Sequence, residues 1–307
     1  MKIVVLEKIE MTGAQRSRLM ALGEVKFFDS STELECRARV RGVDAAVIDW
    51  IDPNPFLEEM NNPSLLALMS TGYAWIDVKR ARQAGISISN IPGYATSAVA
   101  EHLIGLMFAV ARKTLIGDTG IRSGKKDKGY LEGLEMAGRT AGIIGLGNIG
   151  QNVAQKLACF GMNAVAYDIK PIDVPIARSV SLEGLLEVSD VVFVCCDLNE
   201  RSRNMLKLPQ LKRLKPRAIL ISSTWGVLDI DDLVVLLRNK RIFGAGLDVS
   251  IEGGGIDLPK ELTRLRSVVL TPHIGYNTRE AKIRQADICI DNIEKYFAGK
   301  PQNIINY

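Results

Sequence analysis

The chain has 307 residues, 47% of them hydrophobic, with 39 basic and 35 acidic side chains and a formal net charge of +4. That length and balance exclude a disordered segment and suit two packed domains. The charges are intermixed apart from a short cluster at Lys125, Lys126 and Lys128, so no nucleic-acid partner is expected.

No run reaches the roughly 18 consecutive apolar residues of a membrane span, and the opening "MKIVVLEKIE" lacks a signal-peptide pattern. Five cysteines (Cys36, Cys159, Cys195, Cys196 and Cys289) are an odd number, and two lie inside "VVFVCC". They are expected to be reduced core or near-core thiols of a cytoplasmic protein. The first hundred residues alternate short apolar runs ("IVVL", "VKFF", "DAAVID", "SLLALMS", "ISISN") with helix-like stretches such as "GAQRSRLMAL". This is the pattern of a parallel sheet covered on both faces. "TSAVAEHLIGLMFAVARK" then reads as one long apolar helix, with Thr96 or Ser97 as N-cap and burial expected between domains or subunits. A polar, glycine-containing stretch from Gly117 to Gly133 follows. After it, six buried-strand candidates ("TAGIIG", "AVAYD", "VVFVCC", "AILISS", "FGAGLDV", "SVVLTPH") describe a doubly wound sheet. The closing "TREAKIRQADICIDNIEKYFAGK" is an amphipathic helix ended by Gly299 and expected to return to the first domain.

Within the first strand–helix unit of that second series, Gly145, Gly147 and Gly150 have the G-x-G-x-x-G spacing, and Asp168 follows 18 residues after Gly150 at the end of the next strand. A glycine-rich turn can exist without a ligand, but here it follows a strand, opens a helix and has its acidic residue in place. Gly145 allows the tight turn, Gly147 lets amides approach a pyrophosphate, and Gly150 lets the helix pack on the strand. Asn148 and Ile149 complete the loop. Asp168 suits the ribose hydroxyls and repels a 2′-phosphate, which favours NAD(H) over NADP(H).

Only two histidines are present. His102, inside an apolar helix, reads as packed and hydrogen-bonded. His273 follows "SVVLTP" at the carboxyl end of a strand, the side of an open sheet that lines the ligand crevice. There it suits proton donation to a carbonyl oxygen; a structural turn histidine is the alternative. A carboxylate partner would hold its ring, and Glu252 in "LDVSIEGGG" is the nearest by motif, with Asp248 the other. A solvated loop glutamate is the alternative for Glu252. The scattered histidines and cysteines give no metal-ligand spacing.

With these residues in view, the chain resembles the D-isomer-specific 2-hydroxyacid dehydrogenase family over essentially its whole length. The segments concerned are "STGYAWIDV", "GISISNIPGYATSAVAEH", "GRTAGIIGLGNIGQNVAQKL", "GAGLDV" and "TPHIGYNTREA". The wording is nearest the hydroxypyruvate reductase or glycerate dehydrogenase branch. The resemblance implies an α/β chain of two doubly wound domains. One is a flavodoxin-like substrate domain of residues 1–96 plus 281–307; the other is an inserted Rossmann NAD-binding domain of residues 97–280. It implies a homodimer joined through the latter. Thr71 and Gly72 would offer amides to the substrate and His273 would be the proton donor and acceptor. Thr96, Cys195 and Asp248 are counted with the cofactor contacts, Asp248 through the nicotinamide amide.

Two positions depart from the family pattern. The segment matching "ISSTWGVLD" usually has arginine before its glycine, and that arginine clamps the carboxylate of a 2-keto acid. Here Trp225 stands before Gly226, and the loop to Asp229 looks one residue short. The family's acid falls on Gly253, so Glu252 fits only if one residue has been deleted. Indole offers one N–H donor and no charge, so it does not replace a guanidinium, although it packs against flat or apolar groups. Three readings follow: an NAD-dependent oxidoreductase with an atypical substrate that Trp225 helps bind, an ordinary 2-hydroxyacid dehydrogenase with a substitute cation, or an NAD-binding dimer without catalysis.

Overall fold

The computed structural model describes residues 1–60, 64–125, 127–249 and 258–306. They form two compact units, Met1–Ala95 with Asn277–Tyr307, and Thr96–Tyr276. The second unit opens at Thr96 because a helix, Thr96–Ala111, begins there. It closes before Thr278, which caps the terminal helix by accepting the N–H of Ala281 at 3.1 Å.

In the first unit, β1 (Lys2–Val5), β2 (Glu24–Phe27), β3 (Ala45–Ile48), β4 (Ser64–Leu68) and β5 (Ile86–Ser89) form a parallel sheet in the order β2-β1-β3-β4-β5. This is the flavodoxin-like order. The central strands are apolar at nearly every position because helices cover both faces. Val4, Ala46 and Leu66 pack in one core cluster, and Ile3, Ala45 and Leu65 in the opposite one. The terminal helix Arg279–Phe297 seals the second face with Ala286, Cys289, Ile290 and Ile293. Arg18 ties it down through Asp291 and Glu294. Capping boxes at Thr12 with Gln15 and Thr32 with Glu35 start two of the helices.

In the second unit, β6 (Thr140–Ile144), β7 (Asn163–Tyr167), β8 (Arg178–Ser179), β9 (Val191–Val194), β10 (Ile219–Ser222), β11 (Gly244–Asp248) and β12 (Val268–Thr271) form a parallel sheet in the order β12-β11-β10-β9-β6-β7-β8. The strand order reverses at β6, flanked by β7 and β9, which is the switch point where open α/β sheets bind ligands.

Other details of the structure go beyond the sequence reading or depart from it. Helix Thr96–Ala111 packs apolar residues on β10, β11 and the helix Asn148–Cys159. The helix stops where Lys113 turns left-handed (φ 53°), and a second helix, Thr114–Arg122, runs into the polar, glycine-containing stretch that begins at Gly117. The short, exposed edge strand β8 carries no apolar run to announce it. Of the cysteines, Cys36 and Cys289 are buried and Cys195 and Cys196 half-buried, but Cys159 is exposed at the end of its helix. Among the described residues no helix is long and apolar enough to cross a membrane.

Candidate functional site

The glycine loop leaves the carboxyl end of β6. Gly145 has φ 88°, and a side chain there would lie 2.5 Å from the backbone nitrogen of Cys196. A side chain on Gly150 would lie 2.1 Å from the carbonyl oxygen of Gly145, so the helix starting at Asn148 packs directly on the turn. At Gly147 an added carbon would meet nothing within 4 Å. Gly147 is also the N-cap of that helix and provides no side-chain cap, leaving first-turn amides to an anion. Asn148 and Ile149 form this first turn.

Asp168 follows β7 and accepts the N–H of Leu146 at 2.7 Å and that of Lys170 at 2.9 Å. It therefore braces the glycine loop, and a carboxylate retains acceptor capacity for ribose hydroxyls beyond two such bonds. Cys195 follows β9, where its N–H donates to Ile144 at 2.8 Å. Burial pushes its thiol up, so it is present uncharged. These features fit a dinucleotide: open space over Gly147, uncapped amides and an acidic residue beside the turn. Thr96, half-buried, is the first residue of its helix.

β10 ends at Ser222, and the loop after it is internally braced. Thr224 Oγ1 donates to the carbonyl of Cys196 at 2.9 Å, and the N–H of Asn204 donates to that of Gly226 at 2.7 Å. Gly226 has φ 85° and would press a side chain against Leu198. Trp225 is half-buried and lines a narrow cleft with Ser222, Thr224, Gly226 and Asp248.

Asp248, 4% exposed, ends β11 and organises the turn after β12. Its carboxylate accepts Thr271 Oγ1–H at 2.7 Å, the N–H of Ile274 at 3.0 Å and that of Gly275 at 2.8 Å. His102 Nε2 lies 3.5 Å from the same carboxylate and 2.9 Å from Thr271 Oγ1. Since that hydroxyl donates to Asp248, Nε2 carries the proton toward it. Burial works against the ionised form, but hydrogen bonds from His102, Thr271 and the two amides outweigh it and hold Asp248 below the usual carboxylate range.

The turn so anchored contains His273, whose backbone is left-handed (φ 52°) and whose ring centre lies 5.7 Å from that of Tyr276. A non-glycine residue held in that region next to a ligand-facing strand end is a feature of functional sites. The His102–Thr271–Asp248 network joins segments distant in the chain and was not visible in the sequence. Only the apolar setting of His102 signalled that it is hydrogen-bonded rather than free.

In the first unit, Thr71 and Gly72 are exposed beyond β4. The Thr71 carbonyl accepts Asn90 Nδ2 at 2.8 Å, and the Gly72 carbonyl accepts Ser70 Oγ at 2.9 Å. Asp49, just after β3, has its carboxyl pushed up to about 7 by burial and by Glu7, with Lys282 opposing. Glu252 and Gly253 lie outside the described residues.

A family model described as D-isomer specific 2-hydroxyacid dehydrogenase, NAD binding domain, matches residues 104–275. A glycerate dehydrogenase of Methylorubrum extorquens is 34% identical over 295 residues, 92% of this chain and 92% of that protein. A glyoxylate reductase of Thermococcus litoralis is 36% identical over 284 residues, 87% of this chain and 85% of that protein. Among solved structures, an acyclic imino acid reductase in complex with NADPH and D-Arg is 30% identical with a TM-score of 0.91, covering 99% of this chain and 100% of its own.

Proposed function

The chain belongs to the D-isomer specific 2-hydroxyacid dehydrogenase family, and from that premise we propose that its substrate is not a simple small 2-keto acid. It is an NAD(P)-dependent oxidoreductase acting on CH–OH groups. NADH, when bound, supplies the hydride. In the proposed chemistry His273 gives a proton to the carbonyl oxygen as hydride reaches the carbon, yielding the alcohol and NAD⁺, and takes the proton back in the reverse direction. Asp248 supports this through its hold on the amides of Ile274 and Gly275, which fixes the turn carrying the imidazole. Thr71 and Gly72 would present substrate-binding amides.

The observation that carries the substrate reading is Trp225 in the cleft it shares with Asp248. A desolvated carboxylate without its charge-assisted partner costs on the order of 3 to 5 kcal/mol. Trp225 favours instead a bulkier, flat or aromatic carbonyl compound, or one whose carboxylate is held by another group. The imino acid reductase, of the same fold, adds acyclic imino acids to the candidates whose carboxylate another group would hold. Cytoplasmic location and a homodimer joined through the NAD-binding unit complete the proposal. Leu115 (54% exposed) and Ile121 (66%) on the helix Thr114–Arg122 support the dimer.

A second reading is an ordinary glyoxylate or hydroxypyruvate reductase with a substitute cation. The relatives' names favour it, and the turn packed on Gly226 carries Arg201 and Arg203. Initial rates of NADH oxidation with glyoxylate, hydroxypyruvate, phenylpyruvate and uncharged ketones separate the readings. The proposal expects phenylpyruvate or a ketone to be preferred, and strong turnover of glyoxylate or hydroxypyruvate sinks it. Tight NADH binding with no turnover of any compound would indicate a dimer without catalysis.

A further inference from the structure

All three tryptophans of the chain, Trp50, Trp75 and Trp225, lie in loops after the carboxyl ends of strands, following β3, β4 and β10. None belongs to a hydrophobic core, whereas Phe56 and Phe193 are buried in theirs. In the first unit Trp50 is 61% exposed, Trp75 41% and Tyr73 40%. Aromatic area left in water is area that a second molecule can cover, and a rigid indole loses little freedom when it does so.

The loops that carry these rings are fixed. One carboxylate oxygen of Glu7, just after β1, accepts the N–H groups of Asp49, Trp50 and Ile51 at 2.7, 3.0 and 3.2 Å. Asn54 joins the loop after β3 to the loop after β4: its Nδ2 donates to the Trp75 carbonyl and its Oδ1 accepts the N–H of Asp77, both at 2.8 Å. A side chain on Gly72 would come 3.8 Å from Trp75 Cζ3, so the indole lies beside Gly72.

The strand order of this sheet reverses at β1, between β2 and β3, so its ligand crevice adjoins the loop of Trp50. Three successive amides there would cradle an anion, but Glu7 already fills them. Burial and Glu7 push the Asp49 carboxyl up to about 7, so further negative charge is resisted. The neighbouring cations are engaged, Lys282 with Glu10 at 2.9 Å and Arg80 with Glu58 at 2.8 Å.

We propose that Trp50 and Trp75 determine specificity by taking the flat apolar body of the substrate, with its carbonyl end at Thr71 and Gly72. The substrate class is then a carbonyl compound with an aryl-sized body and no second anionic group. This rests on the reading above that Thr71 and Gly72 present amides to the substrate.

The test is steady-state NADH oxidation with phenylpyruvate, glyoxylate and oxaloacetate, whose second carboxylate replaces the apolar body. In Trp50→Ala/Trp75→Ala the KM for phenylpyruvate should rise about 10-fold, with glyoxylate kcat/KM and NADH affinity within about twofold of wild type. Trp50→Phe/Trp75→Phe should restore most of the loss. An unchanged phenylpyruvate KM in the Ala variant overturns the proposal, as does an equal loss on glyoxylate. So does a wild type that turns over oxaloacetate as well as phenylpyruvate. A wild type that prefers glyoxylate but loses phenylpyruvate affinity with the two indoles would sink the substrate reading above and support this one. Phenylpyruvate preferred, with a KM indifferent to both indoles, would sink this one alone.

Discussion

The loop after β6 and the loop after β10 leave the same end of one sheet with only β9 between them. Both are built on Cys196: Gly145 packs against its backbone, and Thr224 Oγ1 donates to its carbonyl. Both contain a left-handed glycine, Gly145 at 88° and Gly226 at 85°. In the first loop the work falls to the backbone, where glycine spacing, free amides and a bracing carboxylate leave little freedom to change. In the second, the backbone is braced at Thr224 and Gly226 on either side of Trp225, the side chain to which the proposal assigns the substrate preference. If the proposal holds, such a scaffold keeps its cofactor site constant while its substrate preference moves by a single residue.

Removing the proposed proton carrier should have the largest effect. His273→Ala is expected to lower kcat on the order of 10²- to 10⁴-fold while NADH affinity, followed by fluorescence, stays within about twofold. An unchanged rate would remove His273 from the mechanism. Gly150→Ala attacks the backbone-made loop, placing a carbon 2.1 Å from the Gly145 carbonyl oxygen. It should weaken NADH binding by about tenfold or more and destabilise the unit by about 1 to 3 kcal/mol, read from urea unfolding. Retained affinity would mean that the loop yields more than its packing suggests.

Asp248→Asn tests the support of the His273 turn, beside the cleft of the second loop. A neutral amide cannot accept from Thr271, Ile274 and Gly275 together as the carboxylate does. The expected loss at pH 7 is about 2 kcal/mol. The Asp248 carboxyl is held low in the folded chain, so its contribution is present above its unfolded value of about 4 and is lost as pH falls through the folded value. The gap between wild type and variant should narrow as the unfolding series is carried below pH 4, and a gap that widens there would contradict the assigned direction.

Much of the fold was legible because parallel strands buried on both faces are continuous apolar runs, as in "AAVI" and "VVFV". The glycine loop was legible for a related reason: each glycine answers a local steric demand. The two-residue edge strand Arg178–Ser179 and the helix Thr114–Arg122 were not, since one is exposed and the other begins beside a lysine in a glycine conformation. Least legible was the hold of His102 and Thr271 on Asp248, which depends on two strand ends and a helix meeting in space. Trp225 lies between these cases. Its identity could be read at once, but the cleft it shares with Asp248, on which its proposed role rests, could not.

The most direct test of that role is the ratio of kcat/KM for phenylpyruvate to that for glyoxylate, measured in wild type and in Trp225→Arg. If the missing clamp sets the substrate preference, the guanidinium should raise kcat/KM on glyoxylate by about 10²-fold and lower the ratio at least as far, with NADH affinity unchanged. A ratio that does not move would contradict the account and shift the cause of any preference away from Trp225.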